Sequence, residues 1–210
     1  MFYIYPENRT WVYCSIIFFL VLFLLYKYGW GYYLKKQIGL PIVDDSGTVY
    51  GKVTTSAKRK SKSKYFHPVI RIMVEDQGKL LLQEQPLSLD GEVRALDFPF
   101  ERYLLFEETV EEGVKKALIE KGMSPHLPCR FMLRHAYRTE KTNRLIYLYL
   151  CNRLNKNHLD DLRNLEEGKW WTSTQINEKL GTGIFSSCFE DEFEVFNAFA
   201  WLLDKLPNLP

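Results

Sequence analysis

From Thr10 to Tyr26 the chain carries no charged residue, and the run WVYCSIIFFLVLFLLY inside that stretch is almost wholly apolar. No other feature limits the architecture as much. The low-charge stretch continues past Lys27 to Leu34. As a helix rising about 1.5 Å per residue it can cross a hydrocarbon core of roughly 30 Å, with Lys27 snorkelling to the interface. Trp11 and Tyr13 stand at one end, and Tyr26, Tyr28, Trp30, Tyr32 and Tyr33 at the other, as in interfacial aromatic belts. Arg9 is the basic residue ahead of the run. After it come Lys27, Lys35, Lys36 and Lys52, then the cluster Lys58, Arg59, Lys60, Lys62 and Lys64. The positive-inside rule then places the remainder of the chain in the cytoplasm. The expectation is a single-pass inner (cytoplasmic) membrane protein with residues 1–36 as its N-terminal anchor. A cleaved signal peptide needs a small-residue cleavage site, whereas large aromatics and lysines follow the run. A segment translated from a misassigned start is the alternative that stays open.

The 210 residues allow one well-packed domain plus an accessory segment. A formal net charge of +2 singles out no partner class, and no nucleic-acid partner is expected. The four cysteines, Cys14, Cys129, Cys151 and Cys188, contain no CxxC pair and read as thiols of a reducing compartment rather than a zinc site.

Beyond Leu40, short apolar runs alternate with turn signals. Pro41–Val43 and Val49–Val53 flank Asp44-Asp45-Ser46-Gly47 as a hairpin; Ala57 to Lys64 is a basic, Ser-rich loop. Pro68–Glu75 and Leu80–Gln85 are strands joined by a turn at Asp76–Lys79, and Asp97 to Phe106 is aromatic and extended. Val110, Val114 and Leu118 recur at four-residue spacing over Thr109–Lys121 and predict an amphipathic helix. Thr109 with Glu112 forms a capping box at its start, Gly122 is its stop, and Glu111–Lys115 and Glu112–Lys116 are expected to pair on its outer face. Strands follow at Phe131–Ala136 and Leu145–Cys151, then an extended piece from Trp170, a short helix Thr174–Leu180 and a longer one Cys188–Leu206. Strands on both sides of a central helix, with a closing helix, predict a mixed α/β sandwich over residues 40–206.

The succession PIVDDSGTVYGKVT, HPVIRIMV, QGKLLLQEQP and EEGKWWTSTQINEKLGTGIFSSCFEDEF resembles the Nudix hydrolases, in particular a bacterial group related to isopentenyl-diphosphate isomerase. The resemblance runs from Pro41 to Phe199 and implies a Nudix-type α/β/α sandwich with a mixed sheet. The family's loop–helix–loop signature is G-x5-E-x7-R-E-U-x-E-E-x-G-U, with U aliphatic. Its best match here runs from Arg102 to Met123 and departs from it repeatedly. Arg102 stands at the leading glycine, Glu108 matches the first glutamate, and Lys116 replaces the arginine. Ala117, Glu120 and Lys121 occupy the three later glutamate positions, and one residue is missing before Gly122.

The resemblance implies cleavage of a diphosphate linked to another group, with Mg²⁺ held by glutamates of this helix. Positions 117, 120 and 121 share a helical face, so three carboxylates there would offset a metal's charge. Here the face presents a methyl group, one carboxylate and one ammonium, and Glu120 and Lys121 are expected to pair as a surface salt bridge rather than to hold a divalent ion. Glu120 and Glu108 are the residual metal candidates, and no cofactor is expected unless the chain is active, in which case Mg²⁺. Lys116, Lys121 and Arg71 are the candidates for holding an anionic ligand, with an ordinary ion pair as the alternative for Arg71, Arg134 and Arg138. Asp97 and Glu101 could lend carboxylates from outside the helix, or serve as caps. His67 marks a strand start. Phe98, Phe100, Tyr103 and Phe106 are expected to fill core. No cysteine lies where the isomerase's catalytic cysteine is expected. The expected function is a membrane-anchored Nudix-like domain, non-catalytic or weakly active, binding a nucleotide, another diphosphate compound or a protein partner. The alternative is an active, divergent Mg²⁺-dependent hydrolase of a nucleoside diphosphate linked to another moiety; a purely structural role is a third. The sequence does not specify oligomeric state.

Overall fold

Residues 13, 16–27, 39–54, 65–85, 95–140, 142–165 and 168–205 are described by a computed structural model, with side chains up to residue 198. Residues 16–27 are helical (α1), and their side chains are exposed. This stretch rises about 18 Å. Among the described residues no helix is long and apolar enough to cross a membrane. The remainder of the expected span, and the basic loop from Ala57 to Lys64, lie outside the described residues.

The expected hairpin is β1 (Gly39–Val43) paired antiparallel with β2 (Val49–Thr54). The sheet of the domain is mixed and centres on β3 (His67–Asp76). Two residues in the left-handed region, Gln77 (φ 50°) and Gly78 (φ 75°), turn β3 tightly into β4 (Lys79–Gln85). β4 also pairs with β5 (Ala95–Asp97) and β9 (Gly168–Thr172). On its other part β3 pairs antiparallel with β6 (Phe100–Tyr103) and parallel with β8 (Asn143–Cys151), which itself pairs with β7 (Cys129–Arg138).

Alternation along β3 sends Val69, Arg71 and Met73 to one face and Ile70, Ile72 and Val74 to the other. α2 (Val110–Ile119) covers the second face with Val114, Ala117 and Leu118. The capping box is present, with the Glu112 amide donating to Thr109 Oγ1 and the Thr109 amide to Glu112 Oε2. Gly113 sits where the helix meets the sheet: a Cβ there would stand 2.6 Å from Leu104 Cδ1 and 3.0 Å from Ile70 Cγ1. Close helix–sheet approach therefore outweighs the helical cost of glycine, about 1 kcal/mol. The first face is covered by α5 (Ser187–Lys205), whose Phe189 and Phe193 pack with Phe98, Val69 and Met73. Phe98 and Phe100 are buried on opposite faces, as core.

Two short helices are also present among the described residues. α4 (Ser173–Asn177) matches the expected short helix. α3 (Lys156–Arg163) was not expected: Leu159 and Leu162 are its apolar residues and of these only Leu162 is buried. Its available signal was the Asn155 and His158 capping box.

Candidate functional site

The loop from β6 to α2 and the end of that helix bring together the residues of the loop–helix–loop signature, the box. Arg102, at the end of β6, lies between the two remaining carboxylates. Its Nη1 donates to Glu108 Oε2 at 3.0 Å and its Nε to Glu120 Oε1 at 3.1 Å. Glu108 also accepts from Lys116 Nζ at 2.7 Å and from the Leu105 amide at 2.8 Å. Burial pushes the Glu108 carboxyl up. Lys116, Arg102 and the Leu105 amide outweigh that and hold it below its ordinary range. Its side chain is 8% exposed, against 56% for Glu120.

Two expected pairings are corrected here. Lys116 bonds Glu108 rather than Glu112, because Glu112 is turned back onto the helix start as the cap. Glu120 bonds Arg102 rather than Lys121, whose Nζ instead reaches across to Gln83 Oε1 on β4 at 3.1 Å. Partial burial holds the Lys121 ammonium below the usual lysine range. Charge at this surface therefore consists of two carboxylates facing two cations, with a third cation beside them.

Arg71 lies on the opposite face, 0% exposed. Its Nε donates to Glu192 Oε2 of α5 at 2.8 Å, and its Nη atoms engage Asp97 and Glu101. Glu101 also accepts from Arg144 Nη1 at 3.1 Å, and Glu192 lies 3.1 Å from His135 Nε2. Ser186 Oγ donates to Asp97 at 2.7 Å. Asp97, Glu101 and Arg71 are thus parts of one interior ion network. Arg71 pairs with three carboxylates, and none of its side chain is exposed. Arg134 and Arg138 stack over Tyr147 and Phe66, and His67 Nδ1 lies 3.0 Å from the Pro41 carbonyl.

Glu192, His135 and Ser186 were not singled out by sequence reasoning. They come from β7, α5 and the residue before it, so no local spacing links them to Arg71. The role of Arg102 did carry a signal: a long cation in place of the loop's leading glycine, close to two carboxylates. Among the described residues, no group of three or more His, Cys, Asp and Glu is arranged to hold a metal ion.

No protein-family model matches the sequence, and no curated protein does. Solved structures do. The Deinococcus radiodurans protein DR0079 is 16% identical with a TM-score of 0.54, covering 74% of this chain and 97% of its own. A MutT protein from Methanosarcina mazei Go1 is 16% identical (TM-score 0.49; 67% and 99% covered), and a NUDIX hydrolase from Nitrosomonas europaea 17% identical (TM-score 0.46; 62% and 88%). At such identities the likeness speaks for the fold alone, and that fold is the Nudix fold expected from the sequence.

Proposed function

On the premise of a Nudix fold, we propose that this domain binds a phosphate-bearing ligand without hydrolysing it, and that the apolar N-terminal segment tethers it at a membrane. One observation carries the reading: Arg102 occupies the electrostatic place of a divalent cation between Glu108 and Glu120. A Mg²⁺ site at this helix needs near-octahedral oxygen ligation with the carboxylates free to turn toward the ion. Here Glu108 is saturated by two side-chain cations and an amide, Ala117 contributes no oxygen, and Lys121 adds positive charge where a glutamate would stand. The residues present do not fit the ion.

Once the carboxylates are neutralised internally, Lys121 is the cation at this face without a carboxylate partner among its described contacts. Partial burial weakens its competition with water, so an anionic oxygen gains more from it than from a fully solvated lysine. A diphosphate group of a nucleotide or related compound is the ligand class proposed, with Lys121 as the direct contact. Lys116 acts through Glu108, holding the loop. The membrane tether is supported by the sequence of the apolar run and by the exposed apolar side chains of α1.

Calorimetry of the full chain in detergent with inorganic pyrophosphate and nucleoside diphosphates, in Mg²⁺-free buffer, tests the ligand. Binding lost in Lys121→Met supports it; no heat with any of these compounds ends the ligand reading and leaves a protein partner. A phosphate-release assay with Mg²⁺ tests the absence of turnover. Release abolished by Glu120→Gln would show an active hydrolase instead.

A further inference from the structure

Cys129 opens β7 and Cys151 closes β8, and the two stand directly opposite each other in the antiparallel register. Opposed residues in such a pair have Cα atoms about 4.5–5.5 Å apart, inside the roughly 4.4–6.8 Å span that a disulfide bridges. Cys129 is partly exposed, whereas Cys151 is buried in the cluster beneath α2 with Ala117, Leu118, Met123 and Leu127. The amide of Cys129 donates to the Leu127 carbonyl at 2.8 Å, so this end of β7 is tied to the segment arriving from the box helix. Both thiols are free.

We infer that Cys129 and Cys151 are an oxidisable dithiol, joined into a cross-strand disulfide by a two-electron oxidant of the peroxide or small-disulfide class. The partly exposed Cys129 is the sulfur attacked from solvent and Cys151 is the resolving thiol. With peroxide, the Cys129 thiolate attacks one oxygen and the O–O bond breaks. The departing hydroxide takes up a proton as water, and Cys129 is left as a sulfenic acid. The Cys151 sulfur then attacks the Cys129 sulfur; the S–S bond forms, the S–O bond breaks, and the hydroxide leaves as water with the Cys151 proton. The two sulfurs have given up one electron each and one peroxide has become two waters. With a small disulfide, two exchanges release two small thiols. Contact with the Cys129 thiol and burial keep Cys151 protonated well above the usual thiol range, so the deep sulfur enters the reaction after the outer one. The resulting link closes the β7–β8 hairpin under α2, the helix that Lys121 follows.

The test uses the full chain in detergent with Cys14→Ser, treated while folded with hydrogen peroxide or, in a parallel arm, oxidised glutathione, then alkylated and digested without reductant. The expected product is a Cys129–Cys151-linked peptide, lighter by two hydrogens and reversed by dithiothreitol, accompanied by a rise in Tm of several degrees. Cys188→Ser, on the opposite face, keeps the link; Cys129→Ser removes it, and Cys151→Ala removes it without placing a hydroxyl in the core. Cys151 still alkylatable while Cys129 becomes sulfinic acid or a stable mixed disulfide overturns the inference. So does a link that forms only in urea, or thiols that both survive oxidant.

Discussion

Each face of the sheet carries an arginine held between carboxylates, and the two clusters differ in almost everything else. Under α5, Arg71 is fully buried and contacts Asp97, Glu101 and Glu192. Beside α2, Arg102 joins Glu108 and the largely exposed Glu120, with Lys116 and Lys121 at the rim. Similar ion chemistry gives different properties because Arg71, Asp97 and Glu192 are buried, whereas Glu120 and Lys116 at the edge of the second cluster are about half exposed. In the interior, removing a partner strands charge in a low dielectric; at the rim, solvent takes over most of what the partner did. The first cluster therefore locks α5 to the sheet, and the second sets the charge of the surface beside α2.

The largest effect is expected from breaking the buried side of this contrast. Arg71→Met leaves three carboxylates facing each other and should cost about 3–5 kcal/mol in denaturant unfolding. A loss below about 1 kcal/mol would mean that water enters the network.

At the box, Glu108→Gln should cost about 1–2 kcal/mol, since it weakens charge-assisted bonds to Arg102, Lys116 and the Leu105 amide. The sign with pH follows from the carboxyl lying below its ordinary range when folded. Its contribution is complete above the ordinary carboxylate range and is lost as pH falls through the folded value. Stability of the native chain should therefore decline on acidification below about pH 4.5, and Glu108→Gln should flatten that limb. An unchanged acid limb would show that Glu108 is not coupled to folding.

Smallest in stability is Lys121→Met, within about 0.5 kcal/mol of the native chain, because its described bond is one contact to Gln83. Pyrophosphate affinity should nonetheless fall at least tenfold in the same variant. Equal affinities would move the ligand elsewhere.

The contrast also separates what a sequence reveals from what it hides. Short apolar runs bounded by turn signals placed β3, β4, β7 and β8, and the Thr109 and Glu112 cap placed α2, because local backbone preference and burial agree there. α3 escaped because its charged surface leaves too narrow an apolar stripe. The box substitutions were legible as a loss of carboxylates, since helical spacing alone puts positions 117, 120 and 121 together. Where the remaining charges go was not. Side-chain reach and the competing claim of Glu112 on the cap decided that Lys116 would turn to Glu108 and that Arg102 would take Glu120. The Arg71 network joins residues from β3, β5, β6, β7, β8 and α5, and only the folded sheet assembles it.

On the proposed function, the Arg102 guanidinium stands where a divalent ion would bind. Titrating the full chain with Mn²⁺ by calorimetry, beside Arg102→Gly, measures this directly. The native chain should give no saturable heat, while the variant, with Glu108 and Glu120 released from Arg102, should show weak saturable binding. One-to-one binding by the native chain that disappears in Glu120→Gln would contradict the account.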